Sequence, residues 1–182
     1  MARGKLIVLS GPGGVGKSTI SQELRKHDDF TLSVSYTTRK PRIGEIDGVH
    51  YHFVTDEEFT ELVNSNQMLE HAEFAGNKYG TPRKEVESAR DAGRNVLLEI
   101  EISGARQIRK HDSSALLVFL MPPSWEVLKA RIEGRGTDTP ERIAARLALA
   151  EEEMAAAKEF DEILINHEVG EVVQGLIALA AR

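Results

Sequence analysis

The chain has 182 residues, 41% hydrophobic and 29% charged, enough for one α/β domain with its own core and the make-up of an ordinary globular protein. A net charge of −6 argues against non-specific nucleic-acid binding, which needs basic surface to displace counterions, but leaves small anionic ligands open. There is no cysteine, hence no disulfide framework and no cysteine-based metal site, and no signal-peptide pattern or apolar run of membrane-spanning length, so a cytoplasmic chain without a membrane partner is expected.

In chain order, Lys5–Ser10 is an apolar run that reads as a buried parallel strand. A glycine-rich stretch follows, then a helical pattern from Thr19 to Lys26. Between Leu32 and Gly80 the pattern breaks into strand-like pieces, Leu32–Val34, Val49–Phe53 and Met68–Phe74, with one short helix among them. That helix opens at Thr55, with Glu58 completing a capping box, and runs to about Asn64. Thr81-Pro82 reads as a cap before a proline at the first helical position, opening a helix that Gly93 ends. Asn95–Ile100, Ala115–Met121 and Glu162–Asn166 are three more buried strands. Ser124 caps a helix to about Glu133, with Trp125 packing at its start, and Thr139-Pro140 opens the longest helix, to about Lys158. Strands separated by helical patterns predict right-handed βαβ units on a mostly parallel sheet. The irregular region reads as a small mixed sheet inserted over the ligand-binding edge.

The stretch Gly11-Pro12-Gly13-Gly14-Val15-Gly16-Lys17-Ser18 lies between a strand and a helix, the context a phosphate-binding P-loop needs. Glycines let backbone N–H groups turn inward, and the helix start adds orphan donors and the positive end of a dipole. Lys17 supplies a charge to the β- and γ-phosphates, and Ser18 offers a hydroxyl to Mg²⁺. The chain is therefore expected to bind a nucleoside triphosphate.

A second anion site is one reading of Thr37–Arg42. Pro41 and Gly44 forbid a regular helix, so Arg39 and Arg42 sit on a loop and can converge on a phosphate. A solvated basic loop is the other. Tyr51 and Tyr79 could each donate to the same phosphate or simply pack half-buried. Glu70, taken alone, reads as a surface strand residue. Arg142 and Arg146 share a helical face, and Gly134 and Gly136 flank Arg135. Glu151, Glu152 and Glu153 read as a solvated face, and His50 and His52 lack a third ligand for a metal.

Taken together, the chain resembles the guanylate kinases. The blocks that carry the resemblance are GPGGVGKST (11–19), SVSYTTRKPRIGEIDGVHYHF (33–53), LEHAEFAGNKYGTP (69–82), LLEI (97–100) with GARQ (104–107), FLMPPS (119–124), RIEGRGTDTPERIAARL (131–147) and ILIN (163–166). They follow the family's order and spacing over nearly the whole chain. The resemblance implies a P-loop core of three layers (1–33, 81–127 and 158–182), an inserted GMP-binding subdomain (34–80) and a helical lid (128–157).

It further implies transfer of a phosphoryl group from ATP to GMP, with Mg²⁺ as cofactor. Gly11, Gly13, Gly14, Val15, Gly16, Lys17, Ser18 and Thr19 match the family's ATP-phosphate loop. Arg131 matches a residue near the ATP, and Asn166 one near the adenine. Ser35, Glu70 and Thr81 match residues that contact guanine. Arg39, Arg42, Tyr51 and Tyr79 match the clamp on the GMP phosphate. Glu99 matches an acidic position beside the acceptor and the metal's water shell. Arg135 and Arg146 match lid arginines that reach the transferring phosphate, and with Lys17 and Arg39 they form the implied catalytic set. Guanine's N1–H and exocyclic amine can both donate to one carboxylate, whereas adenine would leave that carboxylate unpaired.

Departures from the family pattern are Gly13 for serine, Tyr36 for a smaller residue, Lys78 for an aromatic, and Glu101 and Ser103 for Asp and Gln. Two other readings are kept: a P-loop kinase for another phosphorylated acceptor, such as ribose 1,5-bisphosphate, and an inactive guanylate-kinase-like module that binds phosphopeptides. The guanine trio speaks against the first. The second loses the P-loop lysine, which this chain keeps at Lys17.

Overall fold

The computed structural model describes residues 2–134 and 139–182. In chain order the elements are β1 (Leu6–Ser10), α1 (Lys17–Leu24), β2 (Phe30–Leu32), β3 (Tyr36–Thr37), β4 (His52–Phe53), α2 (Asp56–Asn64), β5 (Met68–Phe74), β6 (Asn77–Pro82) and α3 (Arg83–Asp91). There follow β7 (Asn95–Glu99), α4 (Ile102–His111), β8 (Leu116–Met121), α5 (Trp125–Glu133), α6 (Pro140–Ala155), β9 (Glu162–Ile165) and α7 (Val169–Ala181).

Five strands pair in the order β2-β7-β1-β8-β9, every neighbour parallel. The pleat of β1 divides the core in two. Ile7 and Leu9 pack on one face with residues of α1, α5 and α7. Leu6 and Val8 pack on the other with Val86, Ala89, Ala105 and Ile108 of α3 and α4. A sheet buried on both faces explains why its strands read as unbroken apolar runs. The order turns around β1, so the loop after β1 opens into the crevice where such sheets bind ligands.

The second sheet is mixed, in the order β4-β3-β6-β5. Only the β3–β4 pair in it is parallel, and Glu70 stands opposite Thr81 in the β5–β6 register.

Several expectations need correction. The first helix begins at Lys17, because the backbone turns helical as soon as Gly16 ends the loop. The piece expected at Leu32–Val34 is Phe30–Leu32, and it joins the parallel sheet beside β7 rather than the insertion. Thr81 is not a helix cap: it lies in β6, Pro82 takes the cap position, and the threonine hydroxyl goes to Glu70. The longest helix ends at Ala155 and tightens to a 3₁₀ turn over Ala156–Glu159. The caps at Thr55, Ser124 and Thr139 form as the sequence indicates. Leu128 and Ile132 of α5 are fully buried in the main core, so the segment 128–157 opens with a helix that is part of that core.

Candidate active site

The P-loop is braced from outside its own segment. The carbonyl of Val15 accepts from Nη1 of Arg131 (3.1 Å) and from Nδ2 of the buried Asn166 (2.8 Å). Gly16 has φ +106°, and a β-carbon there would lie 2.7 Å from Asn166 Nδ2, so only glycine fits. Gly16 caps α1 without a side-chain bond, which leaves the first-turn N–H groups without a side-chain partner. A β-carbon at Gly13 would meet nothing within 4 Å, so the serine usual in the family would fit as well.

Lys17 folds back over the loop, with Nζ donating to the carbonyls of Gly11 (2.5 Å) and Pro12 (3.3 Å). Glu153 departs from its sequence reading. It is buried rather than solvated, and its Oε2 accepts from the Gly13 N–H at 3.1 Å. Burial pushes its carboxyl above the ordinary range.

Two adjoining cavities open beside this loop. One, of about 200 Å³, is lined by Lys17, Glu70, Ile100 and Glu101 together with Ser35, Tyr51, Tyr79 and Glu99. The other, of about 380 Å³, has the last four residues in common with it and adds Ser18, Arg39, Arg42 and Glu45. Glu70 is 4% exposed, and Oε1 accepts from the Thr81 hydroxyl at 2.5 Å. Desolvation raises its carboxyl to about 7; the Thr81 bonds oppose this, and the charge of Glu101 adds to it.

Arg39 makes a fork-to-fork pair with Glu45, at 2.9 Å and 2.8 Å. Its guanidinium lies over the Tyr51 ring, 5.3 Å from the centroid. The Arg39 bonds hold the Glu45 carboxyl down to about 2. Glu45 also accepts from the Arg42 N–H at 2.7 Å, so one carboxylate gathers both arginines. Tyr51 and Tyr79 meet edge to face, 6.0 Å apart.

Ser18 Oγ donates to Glu99 Oε1 at 2.7 Å. A hydroxyl beside a carboxylate is a hard-oxygen set that suits Mg²⁺, which keeps waters and phosphate oxygens for its other positions. Among the described residues no group of three or more His, Asp or Glu is disposed to hold a metal by itself. Ser18 and Glu99 therefore fit a metal that arrives with a nucleotide.

Of the other residues named from sequence, Arg146 is half-buried on α6, and Arg135 lies outside the described residues. Lys78 pairs with Asp56 at 2.6 Å, and Tyr36 stacks on His52 with centroids 4.7 Å apart. Sequence reasoning missed Glu45 and Glu153. The six-residue spacing of Arg39 and Glu45 around a Pro-Gly turn was a usable signal for the first. A run of three glutamates gave none for the second.

A family model described as guanylate kinase matches residues 3–180. The chain belongs to the guanylate kinase family. Guanylate kinase of Streptomyces kasugaensis is 57% identical over 182 residues, covering 100% of this chain and 89% of that one. Guanylate kinase of Thermobifida fusca is 57% identical over 178 residues, covering 97% and 91%. The crystal structure of guanylate kinase from Anaplasma phagocytophilum superposes with a TM-score of 0.82 at 32% identity, covering 99% of this chain and 86% of that one. Membership makes the chain an enzyme of the guanylate kinase kind and gives the two sheets their family context, a P-loop core with an inserted mixed sheet.

Proposed function

We infer that the enzyme transfers the γ-phosphoryl group of ATP to GMP, giving ADP and GDP, and that the two cavities beside the P-loop receive GMP. The observation that carries this is the shared lining. Lys17 of the P-loop forms a wall of the cavity holding Glu70, and Ser18 forms a wall of the cavity holding Arg39 and Arg42. A donor phosphate on the loop then faces an acceptor phosphate held by the arginines, with the acceptor's base at Glu70.

The chemistry asks little covalent work of the protein. The acceptor is a phosphate monoester with a second pKa of about 6, so its oxygen is largely ionised at neutral pH and needs no base. That oxygen forms a bond to the γ-phosphorus, and the bond from phosphorus to the β–γ bridging oxygen breaks. Positioning and cancellation of negative charge do the rest. In this reading Lys17 turns from its own loop carbonyls to the β- and γ-phosphates. Arg39, Arg42, Tyr51 and Tyr79 hold the GMP phosphate, and Arg135 and Arg146 approach from the lid. Ser35 serves the guanine O6, Thr81 keeps its hydroxyl on Glu70, and Glu70 accepts from the guanine N1–H and amine. Arg131 and Asn166 act on ATP through the loop they brace. Ser18 and Glu99 would hold Mg²⁺, which when bound supplies charge neutralisation across the β- and γ-phosphates.

Cation sets from three directions must meet on one phosphoryl group while the substrates still enter, so the subdomain 34–80 and the lid are read as closing over bound nucleotides. Both substrates are nucleotides of the cell interior, and the reading places the reaction in the cytoplasm without nucleic-acid or membrane partners. The test is ADP formation in a coupled assay with GMP, AMP and ribose 1,5-bisphosphate as rival acceptors. Turnover confined to either rival would sink the assignment.

A further inference from the structure

Gly104 lies in the first turn of α4, a helix whose neighbours Ala105 and Ile108 are buried in the core. Glycine weakens a helix, and alanine would be the better local choice. The reason for glycine lies across the interface. A β-carbon built on Gly104 would fall well inside contact with Oε2 of Glu70, with Cδ of Glu70 at 3.0 Å and Cδ1 of Ile100 at 3.2 Å. In the wild type the Thr81 hydroxyl holds the other Glu70 oxygen in this position, at 2.5 Å. The helix α4 cannot back away. One turn on, Gln107 clasps β5, donating to the His71 carbonyl (2.7 Å) and accepting from the His71 N–H (3.2 Å). Gly104 and Gln107, three apart, share the helix face turned to Glu70 and His71.

We propose that Gly104 is a specificity-determining residue: its missing side chain is the space that the Glu70 carboxylate occupies, so α4 sets where guanine's N1–H and amine are read. The inference rests on the reading of Glu70 as the base-selecting group. Of the atoms around a new methyl, the carboxylate is the end of a flexible side chain, whereas Ile100 is packed in the core. The carboxylate therefore gives way, and the loss falls on base recognition rather than on the fold.

The experiment is a double-mutant cycle with G104A, E70D and both together. It reads kcat/KM for GMP and for AMP, KM for ATP, and the melting temperature. G104A is expected to raise KM for GMP and to lower the GMP-to-AMP ratio of kcat/KM by roughly tenfold or more, the loss of a charged contact at the base. KM for ATP and the melting temperature should stay near those of the wild type. On the E70D background the shorter carboxylate clears the new methyl, so G104A should change little further. An equal G104A effect on both backgrounds, or an unchanged GMP-to-AMP ratio in G104A, overturns the proposal. If E70D by itself leaves that ratio untouched, the reading of Glu70 fails first and this inference with it. Should G104A melt far below the wild type, recovery of the melting temperature on the E70D background supports the clash, and no recovery refutes it.

Discussion

Burial leaves the Glu70 carboxyl divided between its neutral and ionised forms near neutrality in the free protein, and guanine needs it ionised. With the carboxyl raised to about 7, it is ionised in roughly one molecule in eleven at pH 6 and ten in eleven at pH 8. Apparent GMP affinity should therefore fall about tenfold from pH 8 to pH 6 through this group alone, because only the ionised fraction can accept both N–H groups. The GMP phosphate adds its own weakening, since its second pKa is about 6. The variant E70Q separates the two. It has no titrating carboxyl, so its residual pH dependence reports the phosphate. At pH 8 it should bind GMP more weakly by about 1.5–3 kcal/mol, the worth of a charged hydrogen bond, or roughly tenfold to a hundredfold. Towards pH 6 the wild-type carboxyl is mostly neutral, and the gap should narrow about tenfold. Calorimetry at pH 6.5 in buffers of different ionisation enthalpy should also find about three-quarters of a proton released by Glu70 on binding. A ratio of wild-type to E70Q affinity that stays constant from pH 6 to pH 8 would refute the reasoning.

K17A should fold and bind GMP but lose orders of magnitude in kcat, because Lys17 acts on charge that develops in the transition state; near-normal turnover would overturn the P-loop assignment. The folded Glu70 carboxyl lies above its unfolded value of 4.5, so its ionisation removes stability as pH climbs from about 4.5 to about 7, and E70Q should melt above the wild type at pH 8 but not at pH 4.5. The Glu45 carboxyl is displaced the other way, down to about 2. Its contribution is complete above about 4.5 and fades as pH falls through about 2, and thermal melts between those values should show that acid-sensitive component in the wild type but not in E45Q. N166A leaves the Val15 carbonyl with Arg131 alone and should cost about 1–3 kcal/mol in denaturant unfolding; KM should rise for ATP and hold for GMP.

The parallel core was legible because burial on both faces writes each strand as an apolar run, and Lys5–Ser10, Asn95–Ile100 and Ala115–Met121 miss the observed ends by no more than a residue. The inserted sheet was legible only in part. β3 and β4 are two residues each, too short for any period, and they exist because β6 presents an edge to β3 and β3 presents its other edge to β4. The helix α4 gave no start signal: Glu101 caps it without a side-chain bond, and a glycine sits in its first turn to make room for Glu70. At the site, sequence reasoning named the arginines and tyrosines but not Glu45, which pairs with the Arg39 fork from six residues along the chain. The burial of Glu153 was not legible, because nothing local distinguishes it from Glu151 and Glu152.

The Val15 carbonyl has a consequence for how the protein is made. The loop that grips the nucleotide is complete in sequence by Ser18, yet its braces come from Arg131 and Asn166, and a further tie comes from Glu153. On the ribosome Arg131 emerges first, then Glu153, and Asn166 last, long after the loop itself. A nascent chain that stops short of Asn166 has every P-loop residue and the central strand before it, but not the donor that fixes the turn at Gly16. Nucleotide binding should then appear late and abruptly during synthesis, with the arrival of β9 and the residue after it, rather than growing in step with the emerging core.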